Sequence, residues 1–174
     1  MKNLTALASA LTLGLASQAP LRAADMGGKG MDYTQTAFVT ISVNADIAAD
    51  RAKVWKQIIR KDVLIKMIGL EGATGSETMG EPGSTLCGRM GGEAGNLVVT
   101  HAMIDNEVRY SWEPDHGGYV CHITLKLTPM GKGTKVTLTD AYSEEKPAML
   151  EKNAKDTRMH LSQSLESLKK SVTL

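Results

Sequence analysis

The chain has 174 residues, of which 42% are hydrophobic and 22% charged, proportions of an ordinary globular domain and outside those of disordered, collagen-like or coiled-coil chains. That length fits one domain with its own core, without the disulfide staples that much smaller domains need. Twenty Lys and Arg against nineteen Asp and Glu leave a net charge of +1, which gives no electrostatic footprint for nucleic acid.

Met1-Lys2-Asn3 carries one Lys beside the amino terminus, and Leu4 to Ala16 then runs apolar and small without a charge. This is the pattern of a secretory signal peptide, and the run is shorter than the roughly 20 residues of a membrane-spanning helix. Small residues at −3 and −1 fit cleavage after Ala16 or Ala19, and a weaker site with Leu21 at −3 follows Ala23, which brackets cleavage between residues 16 and 23. Residues 1–23 are therefore expected to be a leader, 24–35 a linker and 36–174 the folded domain of a periplasmic or secreted protein with no integral membrane anchor. In such a compartment Cys87 and Cys121 can form a disulfide or remain two small, largely buried thiols. Without C-x-x-C spacing they form no redox or zinc motif.

Phe38-Val39-Thr40-Ile41-Ser42-Val43 alternates apolar and polar residues, which predicts a half-buried strand over 37–45. Asp50 then stands where a helix cap belongs, ahead of Ala52, Trp55 and Ile58 at helical spacing, which predicts a helix over 50–60. A second short helix, 63–68, ends at Gly69, a residue suited to a left-handed cap.

From Gly72 to Ser143 turn residues recur every eight to twelve positions: Gly80-Glu81-Pro82-Gly83, Gly91 to Gly95, Asp105-Asn106, His116-Gly117-Gly118 and Gly131-Lys132-Gly133. They separate predicted strands at 73–79, 84–90, 96–104, 107–113, 119–128 and 134–142, an antiparallel meander. Past Pro147, the residues Leu150, Ala154, Thr157, Leu161, Leu165, Leu168 and Val172 form one helical stripe, which predicts an amphipathic helix over 147–172. Such a stripe needs a partner, and one face of the sheet is the only large one available.

This order resembles the helix-grip fold of the SRPBCC superfamily: START lipid-transfer domains, birch-pollen-allergen-like proteins, and the polyketide cyclase/dehydrase and lipid-transport group. The resemblance rests on Val39-Thr40-Ile41-Ser42-Val43-Asn44-Ala45, on Ala48-Ala49-Asp50-Arg51-Ala52-Lys53-Val54-Trp55, and on Pro82-Gly83-Ser84-Thr85, Arg109-Tyr110-Ser111-Trp112 and Gly133-Thr134-Lys135-Val136-Thr137-Leu138. The implied class is α+β: a seven-stranded curved antiparallel sheet wrapped around a long C-terminal helix, with one or two short helices after the first strand. The resemblance also implies an apolar cavity between helix and sheet.

Strand alternation turns Val39, Ile41 and Val43, then Val108, Tyr110 and Trp112, then Cys121, Ile123, Leu125 and Leu127, and finally Val136, Leu138, Asp140 and Tyr142 toward the interior. Along 96–104 both faces are apolar. If Leu97, Val99 and Met103 point inward, His101 joins them. The candidate ligand-binding residues are thus Tyr110, Trp112, Cys121, Ile123, Leu138, Asp140, Tyr142 and His101 of the sheet, with Leu161 and Leu165 of the helix. A plainer assignment has Asp140 capping the turn toward the terminal helix and His101 as a core or surface histidine. No pair among His101, His116, Cys87, Cys121 and His122 has metal-ligand spacing, and no cofactor or nucleophile motif is present.

Three functions are compatible with this pattern. The first is an exported binding or transport protein for a hydrophobic small molecule or lipid. The second is a polyketide cyclase/dehydratase-like enzyme using Tyr110, Asp140 or His101 as general acid or base. The third is a cell-envelope interaction module marked by a large exposed apolar patch. The absence of a catalytic motif favours the first, while ligand identity and oligomeric state stay open.

Overall fold

Local signals act first. The computed structural model describes residues 37–116, 120–144 and 147–173. The expected leader and linker, residues 1–35, lie outside the described residues, as do Gly117 and Gly118. The alternating segment forms β1 (Ala37–Ile47), with Ile41, Val43, Ala45 and Ile47 buried and Phe38, Thr40, Asn44 and Asp46 exposed. Asp50 caps α1 (Arg51–Ile58) by accepting the Lys53 amide at 2.7 Å, and Gly69 ends α2 (Lys61–Ile68) at φ +71°, its amide donating to the Ile65 carbonyl. Both ends follow from side chains that satisfy, or backbones that permit, the geometry of a helix terminus.

The meander comprises β2 (Glu71–Gly75), β3 (Thr85–Met90), β4 (Glu93–Met103), β5 (Glu107–Pro114), β6 (Cys121–Met130) and β7 (Gly133–Glu144). With β1 they make one curved antiparallel sheet in the order β1-β7-β6-β5-β4-β3-β2. Most boundaries shift by one to three residues, and two of the differences have a clear physical cause. The predicted 73–79 strand stops at Gly75, because the chain then leaves the sheet: Met79 donates its amide to the Ile59 carbonyl and Lys61 to Glu77, tying 76–84 to the α1–α2 junction. The turn between β3 and β4 is only Gly91-Gly92, both at positive φ as a two-residue hairpin turn requires, so Gly95 lies within β4.

After a short 3-10 turn (Pro147–Met149), α3 (Leu150–Thr173) returns across the fold and packs mainly along β1 and α2. Leu161, Leu165, Leu168 and Val172 are each at most 5% exposed, and burying such side chains contributes about 1.5–3 kcal/mol apiece. The stripe is not uniformly packed. Ala154 and Thr157, in the first half of α3, are only half-buried. Tyr110 and Leu138 face the core, as strand alternation predicts. No described helix is long and apolar enough to cross a membrane.

Candidate functional site

The register of the sheet aligns inward side chains into cross-strand rows. One row reads Ile41, Asp140, Ile123, Tyr110 and Val99; the row beside it reads Val39, Tyr142, Cys121, Trp112, Leu97 and Leu86. Asp140 is therefore a carboxylate in mid-strand, held between two isoleucines and 8% exposed. It does not cap the end of β7.

Where the first half of α3 stands away from the sheet, an open cleft of about 460 Å³ remains, a volume within the range of small-molecule sites. Cys121, Ile123 and Asp140 contribute from the sheet rows, and Asp156, Thr157, His160 and Leu161 from α3. Ile68 closes the side toward α2, and Met90, Gly91 and Glu93 come from the β3–β4 hairpin. The α2–α3 contact that sets the width is polar as well as apolar: the Ser164 hydroxyl donates to the Met67 carbonyl, and the His160 carbonyl, 2.9 Å away, is its alternative acceptor. His160 itself lies over Gly69, where a Cβ would stand 3.7 Å from its Cε1.

Asp140 is the electrostatic centre of the cleft. Burial pushes its carboxyl up to about 6; hydrogen bonds from the Cys121 thiol and the Ala141 amide oppose this without cancelling it. Its Oδ1 is sealed from solvent and accepts no hydrogen bond. Burial, the neighbouring carboxylate and the hydrogen bond to it all push the Cys121 thiol upward, so this cysteine stays protonated and is a poor nucleophile. Burial also raises the Tyr142 phenol, against a hydrogen bond with Thr157. A carboxyl titrating near neutrality inside an apolar cleft can hold, donate or accept a proton there.

Of the expected site residues, Cys121, Ile123, Asp140 and Leu161 line the cleft. Tyr110, Trp112, Leu138, Tyr142 and Leu165 are buried in the core around it. The Tyr110 hydroxyl is committed to the Met79 carbonyl at 3.3 Å and anchors the 76–84 loop, and burial raises it above the ordinary tyrosine range. Trp112 packs so closely over β4 that a Cβ on Gly95 would stand 2.8 Å from its Cζ2.

His101 requires a correction. Leu97 and Val99 do point inward, but a bulge follows: Val99 pairs with Tyr110 and His101 with Arg109, leaving Thr100 without an opposite residue. One extra residue inverts the alternation, so Ala102 comes opposite buried Val108 while His101 shares the outer face with Arg109. Cys121 and Cys87 are both free thiols, Cys121 buried and Cys87 exposed, with the Cys87 thiol donating to Asn96 Oδ1 at 2.9 Å. Among the described residues no three His, Cys, Asp or Glu side chains gather as a metal site requires.

Sequence reasoning missed Ile68, Met90, Gly91, Glu93, Asp156, Thr157 and His160 as lining residues. The α3 group carries a usable signal, because positions 156, 157, 160 and 161 share one helical face. The hairpin residues carry none, since their place depends on how far the sheet curls.

No protein-family profile matches the chain, and no curated protein sequence does. Solved structures do. Ara h 8.0201 superposes with a TM-score of 0.59 at 13% identity, covering 79% of this chain and 99% of that one. The Aha1 dimer from Colwellia psychrerythraea gives 0.58 at 22% identity over 77% and 96% of the two chains. DynU16, from the dynemicin biosynthetic locus, gives 0.58 at 15% identity over 77% of this chain and 47% of that one. These neighbours share the helix-grip fold of this chain.

Proposed function

We propose that the protein binds a hydrophobic small molecule, of the size of a lipid or smaller, in the cleft between the sheet and the first half of α3, and does so outside the cytoplasm. The observation that carries this reading is the cleft of about 460 Å³ left beneath a half-packed stretch of an otherwise buried helix stripe. A helix whose apolar positions are only half covered leaves apolar area for a guest to bury. The fold of the neighbours supports it too.

The test is native mass spectrometry and organic extraction of purified protein, with the neutral apolar dye N-phenyl-1-naphthylamine as a probe of the empty site. Co-purifying apolar mass, or saturable dye enhancement, is the expected result; neither signal at any protein concentration overturns the reading. Export rests on the Lys2 to Ala16 pattern. A reporter enzyme that folds only in an oxidising compartment, fused after residue 35, should be active, and an inactive fusion retained in the cytoplasm counts against export.

A second reading is favoured by Asp140. A carboxyl held at about 6 within the cleft suits general acid-base chemistry of the cyclase/dehydratase kind. Turnover of a bound polyketone that vanishes in Asp140→Asn, with binding retained, would decide for the enzyme over the carrier.

A further inference from the structure

The walls of the cleft are apolar, but the charges on them are of one sign. Asp140 sits among the sheet residues and Glu93 and Asp156 come from the hairpin and α3, while among the described residues the lining includes no Lys or Arg, and His160 is the one basic side chain. Asp140 is more than nine-tenths buried, and one of its oxygens has no hydrogen-bond partner. That oxygen is closed off within the protein, so a ligand meets the charge of the carboxyl where the side chain lines the cleft rather than a free lone pair. The carboxylates are not gathered closely enough to hold a metal ion, so an organic donor is the complementary group.

We infer that the cleft is built for an apolar molecule ending in a hydrogen-bond donor, an alcohol or an amine, which docks its head on Asp140, and that it rejects molecules ending in a carboxylate. This rests on the binding reading above and narrows it. A donor head pairs with the Asp140 carboxyl where it lines the cleft while its chain lies against Ile68, Ile123 and Leu161. A carboxylate head would bring a like charge against buried Asp140, where charge is weakly screened, with exposed Glu93 and Asp156 adding a smaller, solvent-screened repulsion from the lips. Neighbouring groups do not reverse this: the Cys121 thiol already donates to Asp140, and His160 is exposed at the lip.

The experiment uses the full chain, loaded with N-phenyl-1-naphthylamine near neutral pH. The dye is displaced by three ligands of equal chain length, dodecanol, dodecylamine and dodecanoate, each below its solubility limit or micelle concentration. The expected order is dodecanol and dodecylamine at least about ten-fold tighter than dodecanoate, roughly 1.4 kcal/mol. Asp140→Asn should narrow the gap by raising dodecanoate affinity, because the charge is gone while the shape is kept. The paired rim variant Glu93→Gln with Asp156→Asn, at exposed positions that do not disturb folding, should narrow it by a smaller factor. Equal displacement by all three ligands in the native chain, or an unchanged order in both variants, overturns the inference. The dye carries one N–H between two aryl rings, so its affinity is measured in both the native chain and Asp140→Asn: failure to bind either protein refutes the binding reading itself, whereas dye binding without discrimination among the three ligands refutes only the present inference.

Discussion

Cys121 and Asp140 are diagonal neighbours across the β6–β7 ladder, where Cys121 stands opposite Tyr142 and Asp140 opposite Ile123, and the thiol donates to the carboxyl. Burial, the charge of Asp140 and the hydrogen bond to it keep Cys121 protonated, while burial, opposed by that same hydrogen bond, keeps Asp140 partly protonated near neutral pH. The pair gives the cleft one titrating group and one inert thiol.

The first consequence concerns pH. Asp140 has an ordinary value of 3.8 and is pushed up to about 6 when folded, so the native chain binds more protons than the unfolded one between these values. Its contribution is fully favourable below about 3.8 and is lost as pH rises through about 6, a change of about 3 kcal/mol. Asp140→Asn should therefore gain stability over the native chain at neutral pH and lose that advantage toward pH 4, as measured by urea melts across the range. Parallel curves for the two proteins would show that the carboxyl is not desolvated.

The α2–α3 seam gives a second. Ser164 is 4% exposed and its hydroxyl serves the Met67 carbonyl at the end of α2. Ser164→Ala leaves that acceptor without its partner and should cost about 1–3 kcal/mol in chemical denaturation. Ser162→Ala, whose hydroxyl bonds only back to the Arg158 carbonyl on an exposed face, should change stability by less than about 0.5 kcal/mol.

Helix docking is the third. Leu165 is 1% exposed, and Leu165→Ala should destabilise by about 2–5 kcal/mol through lost transfer energy and a cavity. The adjacent Glu166→Ala, on the solvent face, should stay within about 0.5 kcal/mol. Equal losses from both would mean that α3 is not seated by its apolar stripe.

Gly95 offers a fourth. A Cβ there would stand 2.5 Å from the Glu113 carbonyl oxygen and 2.8 Å from Trp112 Cζ2, so Gly95→Ala must push strand β5 or the indole aside. The expected cost is about 1–3 kcal/mol, with a change in Trp112 fluorescence that a mutation in the exposed Gly91-Gly92 turn does not produce.

His101 provides a negative control. Because the Thr100 bulge turns it to the outer face beside Arg109, His101→Gln should leave dye binding and its displacement by dodecanol unchanged, whereas Ile123→Asp in the cleft wall should abolish dye binding.

Much of this architecture is readable one segment at a time. Asp50 and Gly69 terminate helices through their own chemistry, β6 and β7 declare their inner faces by alternation, and the stripe from Leu161 to Val172 demands a partner wherever it lies; each signal is carried within a few residues of the position it governs. The bulge at Thr100 is different, since one added residue reverses every later side chain without altering composition, and only pairing with Tyr110 and Arg109 reveals it. The departure of 76–84 from the sheet likewise depends on Ile59 and Lys61 offering distant hydrogen-bond partners. The cleft is the extreme case: it lies where packing stops between α3, the β3–β4 hairpin and the Asp140 row. A void is a relation between surfaces brought together from 68 to 161 along the chain, so it has no local signature, and tertiary packing alone determines that Asp140 faces it.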